Sequence, residues 1–210
     1  MSSLPPPSKI VCVGRNYVAH AAELGNEVPS EPLIFLKPPS ALIGDGDAIV
    51  IPPGVGEVHF EGEIGVIVGK RASWVNEEDA LDHVDSIVPV NDVTARTLQR
   101  QDSQWARAKG FDTFCPVGAA TPLAKVDLAA LSVVTRVNGQ EKQRGRSQDM
   151  VFSIPFLLSY VSRIMTLEPG DLLATGTPEG VGPLGPGDRV EVELPGLTVL
   201  ENPVMARGGV

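Results

Sequence analysis

Turn residues interrupt this chain so often that few stretches are long enough for a helix. Its 22 glycines and 19 prolines make up close to a fifth of 210 residues. That is turn-rich but below the level of a disordered chain. Between the interruptions lie short apolar runs: Lys9 to Val13, Leu33 to Leu36, Ile49 to Ile51, Ile64 to Val68, Ile87 to Val90 and Leu172 to Ala174. Short β-branched runs bounded by turn residues read as strands. Asn138-Gly139 between Ser132–Val137 and a partner from Gln140 to about Arg146 is the strongest hairpin signal, suited to a type I′ turn. A second hairpin crosses Pro195-Gly196. One segment reads firmly as helix, Ser153 to Met165, with Ile154, Leu157, Leu158, Val161, Ile164 and Met165 in one apolar stripe. Shorter helices are expected after Asn16, Asn76 and Asp127, each a candidate cap, and past Asp92. The expected fold is mainly β with a few short helices (α+β).

Hydrophobic content of 42% and charged content of 20% fit a globular chain of one domain. A net charge of −9 without a Lys/Arg cluster argues against a nucleic-acid surface. An acidic protein that takes an anionic substrate needs local cations. Cys12 and Cys115 give no disulfide framework and read as buried thiols in a reducing compartment. The Ser/Pro-rich residues 1–8 read as a flexible arm and lack the pattern of a signal peptide. No apolar run approaches a membrane span, so the expectation is a cytoplasmic protein.

Four places carry chemistry. Glu61 and Glu63 begin a strand and stand two apart, so both carboxylates leave the same face. Like charges that close repel, and a hard divalent cation removes the conflict. The pair reads as a metal half-site or as a polar strand face open to solvent. Asp92, at a strand end, reads as a third ligand or as a helix cap. Arg96 and Gln99 follow on the same helical face. His20 and Glu23, at i and i+3, form an exposed surface pair or a general base oriented by a carboxylate. The loop Thr175 to Gly182 can offer backbone N–H groups, at Gly176 for example, and the Thr177 hydroxyl to a carboxylate. Lys109 sits in what reads as a polar loop.

These pieces together resemble the fumarylacetoacetate hydrolase family over nearly the whole length. The matching segments are Val11 to Tyr17 with His20, Glu31 to Pro38, Glu61-x-Glu63, Asn91 to Arg96, Lys109 to Asp112, Leu167 to Asp171, and Thr175 to Gly182. The short length and the Asn-Tyr-x-x-His element look most like the small subgroup of acylpyruvate hydrolases and oxaloacetate decarboxylases. The resemblance implies one catalytic domain over residues 1–210, a mixed β-sandwich roll, usually a homodimer, and an Mg²⁺ or Mn²⁺ site at Glu61, Glu63 and Asp92. It implies a catalytic His20–Glu23 pair on a lid spanning about residues 16–27, and an active-site lysine at Lys109. Substrate contacts fall to Arg15, Tyr17, Arg96, Gln99, Gly176 and Thr177. The implied substrate is a small 2-oxo acid, cleaved at a C–C bond through a pyruvate enolate. The alternative reaction is isomerisation or hydration of a 2-hydroxy-dienoate.

A non-catalytic scaffold that merely holds metal is the other class of reading. Its mark is loss of the lid, metal or lysine positions, and here all are filled. One departure stands out: Gln143-Arg144-Gly145-Arg146-Ser147 replaces the family's frequent Gln-x-Gly-Asn-Thr. Gly62 and Gly65 are smaller than a strand leads one to expect, and the sequence offers no reason.

Overall fold

The structure, a computed structural model, describes residues 5–23 and 28–208. Its largest sheet has six strands, in the order Thr121–Pro122, Val84–Asn91, Gly62–Val68, Leu172–Ala174, Ile10–Gly14 and Leu33–Lys37. All neighbours are antiparallel except Ile10–Gly14 and Leu172–Ala174, which run parallel. A second sheet orders Gln140–Arg146, Ser132–Val137, Arg189–Leu194, Thr198–Ala206 and Ile49–Ile51. Two small sheets complete the described strands: Gly182–Leu184 with Val58–Phe60 and Thr94–Ala95, and Leu42–Ile43 with Cys115–Pro116.

The two larger sheets share one core. Val11, Val13, Ile64 and Val66 of the first meet Val133, Val192, Leu194 and Leu200 of the second. The helix Ile154–Ile164 adds Leu157, Leu158 and Val161, all fully buried. Burying each such side chain contributes about 1.5–3 kcal/mol. The protein is thus mainly β, with few helices, as its turn punctuation predicts.

The helix starts where Ser153 Oγ accepts from the Phe156 amide at 3.2 Å, with Pro155 in the first turn. Ile164 alone leaves the expected stripe, being 52% exposed, whereas Met165, just past the helix, packs partly buried against the core. The Asn138-Gly139 turn has φ of 52° and 75°, as a type I′ hairpin requires.

Several local expectations are corrected. Asn16 is not a helix cap. The helix is Val18–Glu23, and Asn16 is buried as a clamp. Its Oδ1 accepts from Phe152 N, and its Nδ2 donates to the carbonyls of Phe152 and Thr175. Asn76 precedes a 3₁₀ segment, Glu77–His83, without making a side-chain cap bond. Asp127 closes a turn by accepting from Ala129 N, past the 3₁₀ turn Leu123–Lys125. The helix after Asp92 begins only at Arg96, because Asp92 is pinned by its own amide to the Glu61 carbonyl. Lys109 ends a short helix, Ala106–Lys109, and is buried. At Ser8 the expected flexible arm is tied down, since the Ser8 amide and hydroxyl both donate to Asp171. Cys12 and Cys115 are buried free thiols, and burial pushes Cys115 up to about 12. Among the described residues no helix is long and apolar enough to cross a membrane.

Candidate active site

Pairing of Gly62–Val68 with Val84–Asn91 sets Gly62 opposite Asn91. Glu61 and Glu63 therefore flank the chain end that carries Asp92. Two bonds fix the junction: Glu61 N donates to Asn91 Oδ1 at 3.0 Å, and Asp92 N to the Glu61 carbonyl at 2.8 Å. One oxygen from each of Glu61, Glu63 and Asp92 lies within 4.8 Å of the others, and all three side chains are buried. The solvent-exposed alternative for this strand face is thus removed.

The two glycines now have a reason. A Cβ on Gly62 would stand 1.9 Å from Thr135 Oγ1, on the face away from the carboxylates. A Cβ on Gly65 would stand 2.4 Å from Val90 Cγ2 and 2.8 Å from Val88 Cγ2. Close approach of the neighbouring strands requires glycine at both.

Three buried cations answer the carboxylates. Lys109 Nζ donates to Glu61 Oε2 at 2.8 Å and to Asp92 Oδ2 at 2.5 Å. Lys37 Nζ donates to Asp92 Oδ1 at 2.6 Å and to the Val93 carbonyl at 3.0 Å. Arg96 donates to Glu61 Oε1 and to Gln99 Oε1, each at 2.5 Å. Among the described residues no cation pairs with Glu63; its Oε2 accepts from Gly176 N at 2.8 Å. The electrostatics divide accordingly. Burial pushes the Glu63 carboxyl well above the usual range, and Asp92 and Glu61 push it further. Burial acts on Glu61 too, but Lys109 and Arg96 outweigh it and hold that carboxyl below the range. Burial opposes the charge on Lys109, yet Asp92 and Glu61 keep its ammonium firmly protonated.

The helix Val18–Glu23 lies beside this centre. His20 Nδ1 sits 3.3 Å from Glu23 Oε2, and Gly180 N donates to both Glu23 oxygens at 3.1 and 3.2 Å. The 175–182 loop does offer its amides to carboxylates, but those carboxylates are the protein's own Glu63 and Glu23. Residues 24–27 of the expected lid fall outside the described residues. A cavity of about 270 Å³ opens between His20, Glu61, Glu63, Arg96 and Lys109. Its apolar wall is Phe35 edge-on to Trp105, with centroids 5.3 Å apart, and Lys109 Nζ stands 4.8 Å from the Phe35 centroid.

Of the remaining expected contacts, Arg15, Gln99 and Thr177 line this cavity. The Thr177 hydroxyl already donates to the Gly62 carbonyl and accepts from Gln143 Nε2. Gly176 turns its amide to Glu63. Tyr17 does not line the cavity: it is buried, its hydroxyl has no hydrogen-bond partner among the described residues, and burial with Glu63 nearby keeps the phenol protonated. The stretch that departs from the family pattern is a strand. Gln143 is buried in it, accepting from Gly62 N at 3.0 Å, while Arg144 and Arg146 face solvent and pair with Glu141 and Asp149. Sequence reading missed Lys37 and Gln143. The signal for Lys37 is a lysine closing an apolar strand directly before Pro38-Pro39. Gln143 sits among charged residues and gives no such signal.

The donor set fits a hard divalent cation. Three carboxylates converge within reach of one ion, and Glu63, without a cation of its own, is the group such an ion would satisfy. Residues 9–205 match the fumarylacetoacetate (FAA) hydrolase C-terminal family. The chain belongs to that family. Among its relatives, a mitochondrial oxaloacetate tautomerase of Arabidopsis thaliana is 44% identical over 95% of this chain and 92% of its own length. A mitochondrial oxaloacetate decarboxylase of Dictyostelium discoideum is 44% identical over 90% of this chain and 89% of its own. A fumarylpyruvate hydrolase of Pseudomonas aeruginosa, solved in complex with Mn²⁺ and pyruvate, superposes with a TM-score of 0.92 at 33% identity. That match covers 98% of this chain and 92% of that one. This fumarylacetoacetate hydrolase-family chain is accordingly an enzyme of the hydrolase, decarboxylase and isomerase group.

Proposed function

We propose that the protein cleaves a C–C bond in a small 2-oxo acid with Mg²⁺ or Mn²⁺, releasing pyruvate from an acylpyruvate or from oxaloacetate. The observation that carries this reading is the convergence of Glu61, Glu63 and Asp92, with Lys109 and Arg96, on a cavity walled by His20. A divalent ion held by the three carboxylates supplies positive charge against the enolate that C–C cleavage generates.

The chain's own residues do the rest. His20 Nδ1 is committed to Glu23, which fixes the tautomer and leaves Nε2 to act on the cavity. In hydrolysis Nε2 takes a proton from water, and the hydroxide adds to the distal carbonyl. The C–C bond breaks toward the 2-oxo side, and the proton held by His20 returns to that carbon to give pyruvate. In decarboxylation CO₂ leaves, and the same carbon takes its proton from water. Lys109 and Arg96, desolvated and charged, hold the developing anion. Gln99, whose Oε1 is taken by Arg96, has its Nε2 left to position the substrate's oxygens, and Phe35 with Trp105 excludes water from the tail.

A second reading is proton transfer without cleavage, as in an isomerase or a tautomerase. A relative at 44% identity bears the name oxaloacetate tautomerase, and His20 is placed equally well to move a proton between carbon and oxygen. His20→Ala tests that residue's part in either reading. Hydrolysis needs the base to make its nucleophile and falls by about 10²–10⁴. Near-wild-type hydrolysis in that variant overturns the assignment of His20. Rapid enol–keto exchange without pyruvate release from any 2-oxo acid favours the second reading.

A further inference from the structure

The strand Gly62–Val68 loses one neighbour before it reaches the carboxylates. Leu172–Ala174 pairs with it only at Gly65, Val66 and Ile67. Past that point other groups take the ladder's place. The Thr175 amide and hydroxyl donate to the Ile64 carbonyl. The Gly62 carbonyl accepts from the Thr177 hydroxyl at 2.9 Å, and the Gly62 amide donates to Gln143 Oε1 at 3.0 Å. Gln143 comes from the other large sheet, on its edge strand Gln140–Arg146, and is buried.

Both donors of its amide are used as well. Nε2 donates to Thr177 Oγ1 at 2.7 Å and to the Pro178 carbonyl at 2.8 Å. One side chain thus grips the peptide between Glu61 and Glu63 and also the segment Thr177-Pro178. That segment directly follows the Gly176 amide that donates to Glu63 Oε2. Close packing holds it against the Gln143 strand: a Cβ on Gly145 would stand 2.7 Å from Pro178 Cβ, and one on Gly180 would collide with the Lys142 carbonyl. Many buried amides serve the fold alone. The partners of this one flank Glu63 on both of its backbone supports.

We propose that Gln143 is a positioning residue for the carboxylate trio. By tying Gly62 to Thr177-Pro178 it aims Glu61 and Glu63 at one point, although its amide bonds neither carboxylate. Loss of such an outer support costs about 10–100-fold in metal affinity. The proposal rests on the divalent-ion part of the reading above and not on the cleavage.

The test titrates Mn²⁺ into the metal-free protein, with free Mn²⁺ read by electron paramagnetic resonance well below each variant's Tm. Gln143→Met keeps the length of the side chain and removes its hydrogen bonds. Gln143→Asn keeps an amide inside but is one methylene too short to serve both sides. Ser162→Ala is the control: its buried hydroxyl bonds Val75 N and the Ser159 carbonyl, away from the carboxylates. The expected result is Mn²⁺ binding about 10–100-fold weaker in Gln143→Met and severalfold weaker in Gln143→Asn. Ser162→Ala lowers Tm but binds Mn²⁺ within about twofold of the wild type. Wild-type affinity in the folded Gln143 variants, an equal loss in Ser162→Ala, or failure of both Gln143 variants to fold assigns Gln143 to the fold alone and overturns the proposal. No Mn²⁺ uptake by the wild type overturns it together with the metal reading. Weakened Mn²⁺ binding in the variants, with pyruvate released from no substrate by the wild type, leaves the proposal standing and removes the cleavage.

Discussion

Lys37 Nζ lies 2.6 Å from Asp92 Oδ1, with both side chains sealed from solvent. The other Asp92 oxygen bonds Lys109 at 2.5 Å, so the carboxylate is held from two sides by ammonium groups. Lys37 thus orients Asp92 from behind, with the Val93 carbonyl taking a second of its protons.

Removing one partner of a buried pair strands the other. Lys37→Met is expected to destabilise the fold by about 3 kcal/mol, the low end for such pairs because Lys109 still serves Asp92. Urea unfolding measures it, and a loss below about 1 kcal/mol would show that Asp92 does not depend on Lys37.

Gly62 lets the Glu-x-Glu strand lie against Thr135. Gly62→Ala is expected to cost about 2 kcal/mol or more, since its Cβ collides with Thr135 Oγ1. Thr135→Ala in the same chain removes that oxygen and should restore most of the loss. A double variant no more stable than Gly62→Ala would place the strain elsewhere.

Asp171 ties the N-terminal stretch to the largest sheet. Its carboxylate accepts from the amides of Ser8, Lys9 and Glu168, the Ser8 hydroxyl and Lys9 Nζ. Burial opposes ionisation, but these donors win and hold the carboxyl below the usual range. Because the folded value lies below the unfolded value near 3.9, the stabilisation is present above about pH 4. It is lost as pH falls through the folded value. Asp171→Asn is expected to cost about 2 kcal/mol at pH 7 and progressively less in acid. A penalty independent of pH between 7 and 2 would contradict this.

How much of this was legible in the chain depended on whether a residue's partner lay nearby in sequence. The Asn138-Gly139 turn and the Ile154–Ile164 helix are local and could be read directly. Glu61 and Glu63 declared a shared face through spacing alone, yet their burial depended on pairing with Val84–Asn91, which spacing does not specify. Asn16 looked like a cap because caps are local, whereas its partners lie more than 130 residues on. Lys109 looked solvated for the same reason: its two carboxylates come from other elements.

Glu63 shows what the carboxylate cluster costs without a cation. Burial and two neighbouring carboxylates push its carboxyl up. Glu63→Gln is expected to raise the metal-free Tm by roughly 2–4 °C, about 1 kcal/mol, and to lose most of the stabilisation that Mn²⁺ gives the wild type. Thermal scans with EDTA and with Mn²⁺ read both effects. A lower metal-free Tm with an undiminished Mn²⁺ shift would contradict the assignment.

The most direct test of the central claim is pyruvate release from acetylpyruvate and oxaloacetate, with Mg²⁺ or Mn²⁺ and again with EDTA, each corrected for a metal-containing blank without protein. The account predicts release from at least one substrate with metal, and none above the blank with EDTA or in Asp92→Ala. Full release in EDTA from protein shown to retain no metal, or no release from either substrate with metal bound, would contradict it.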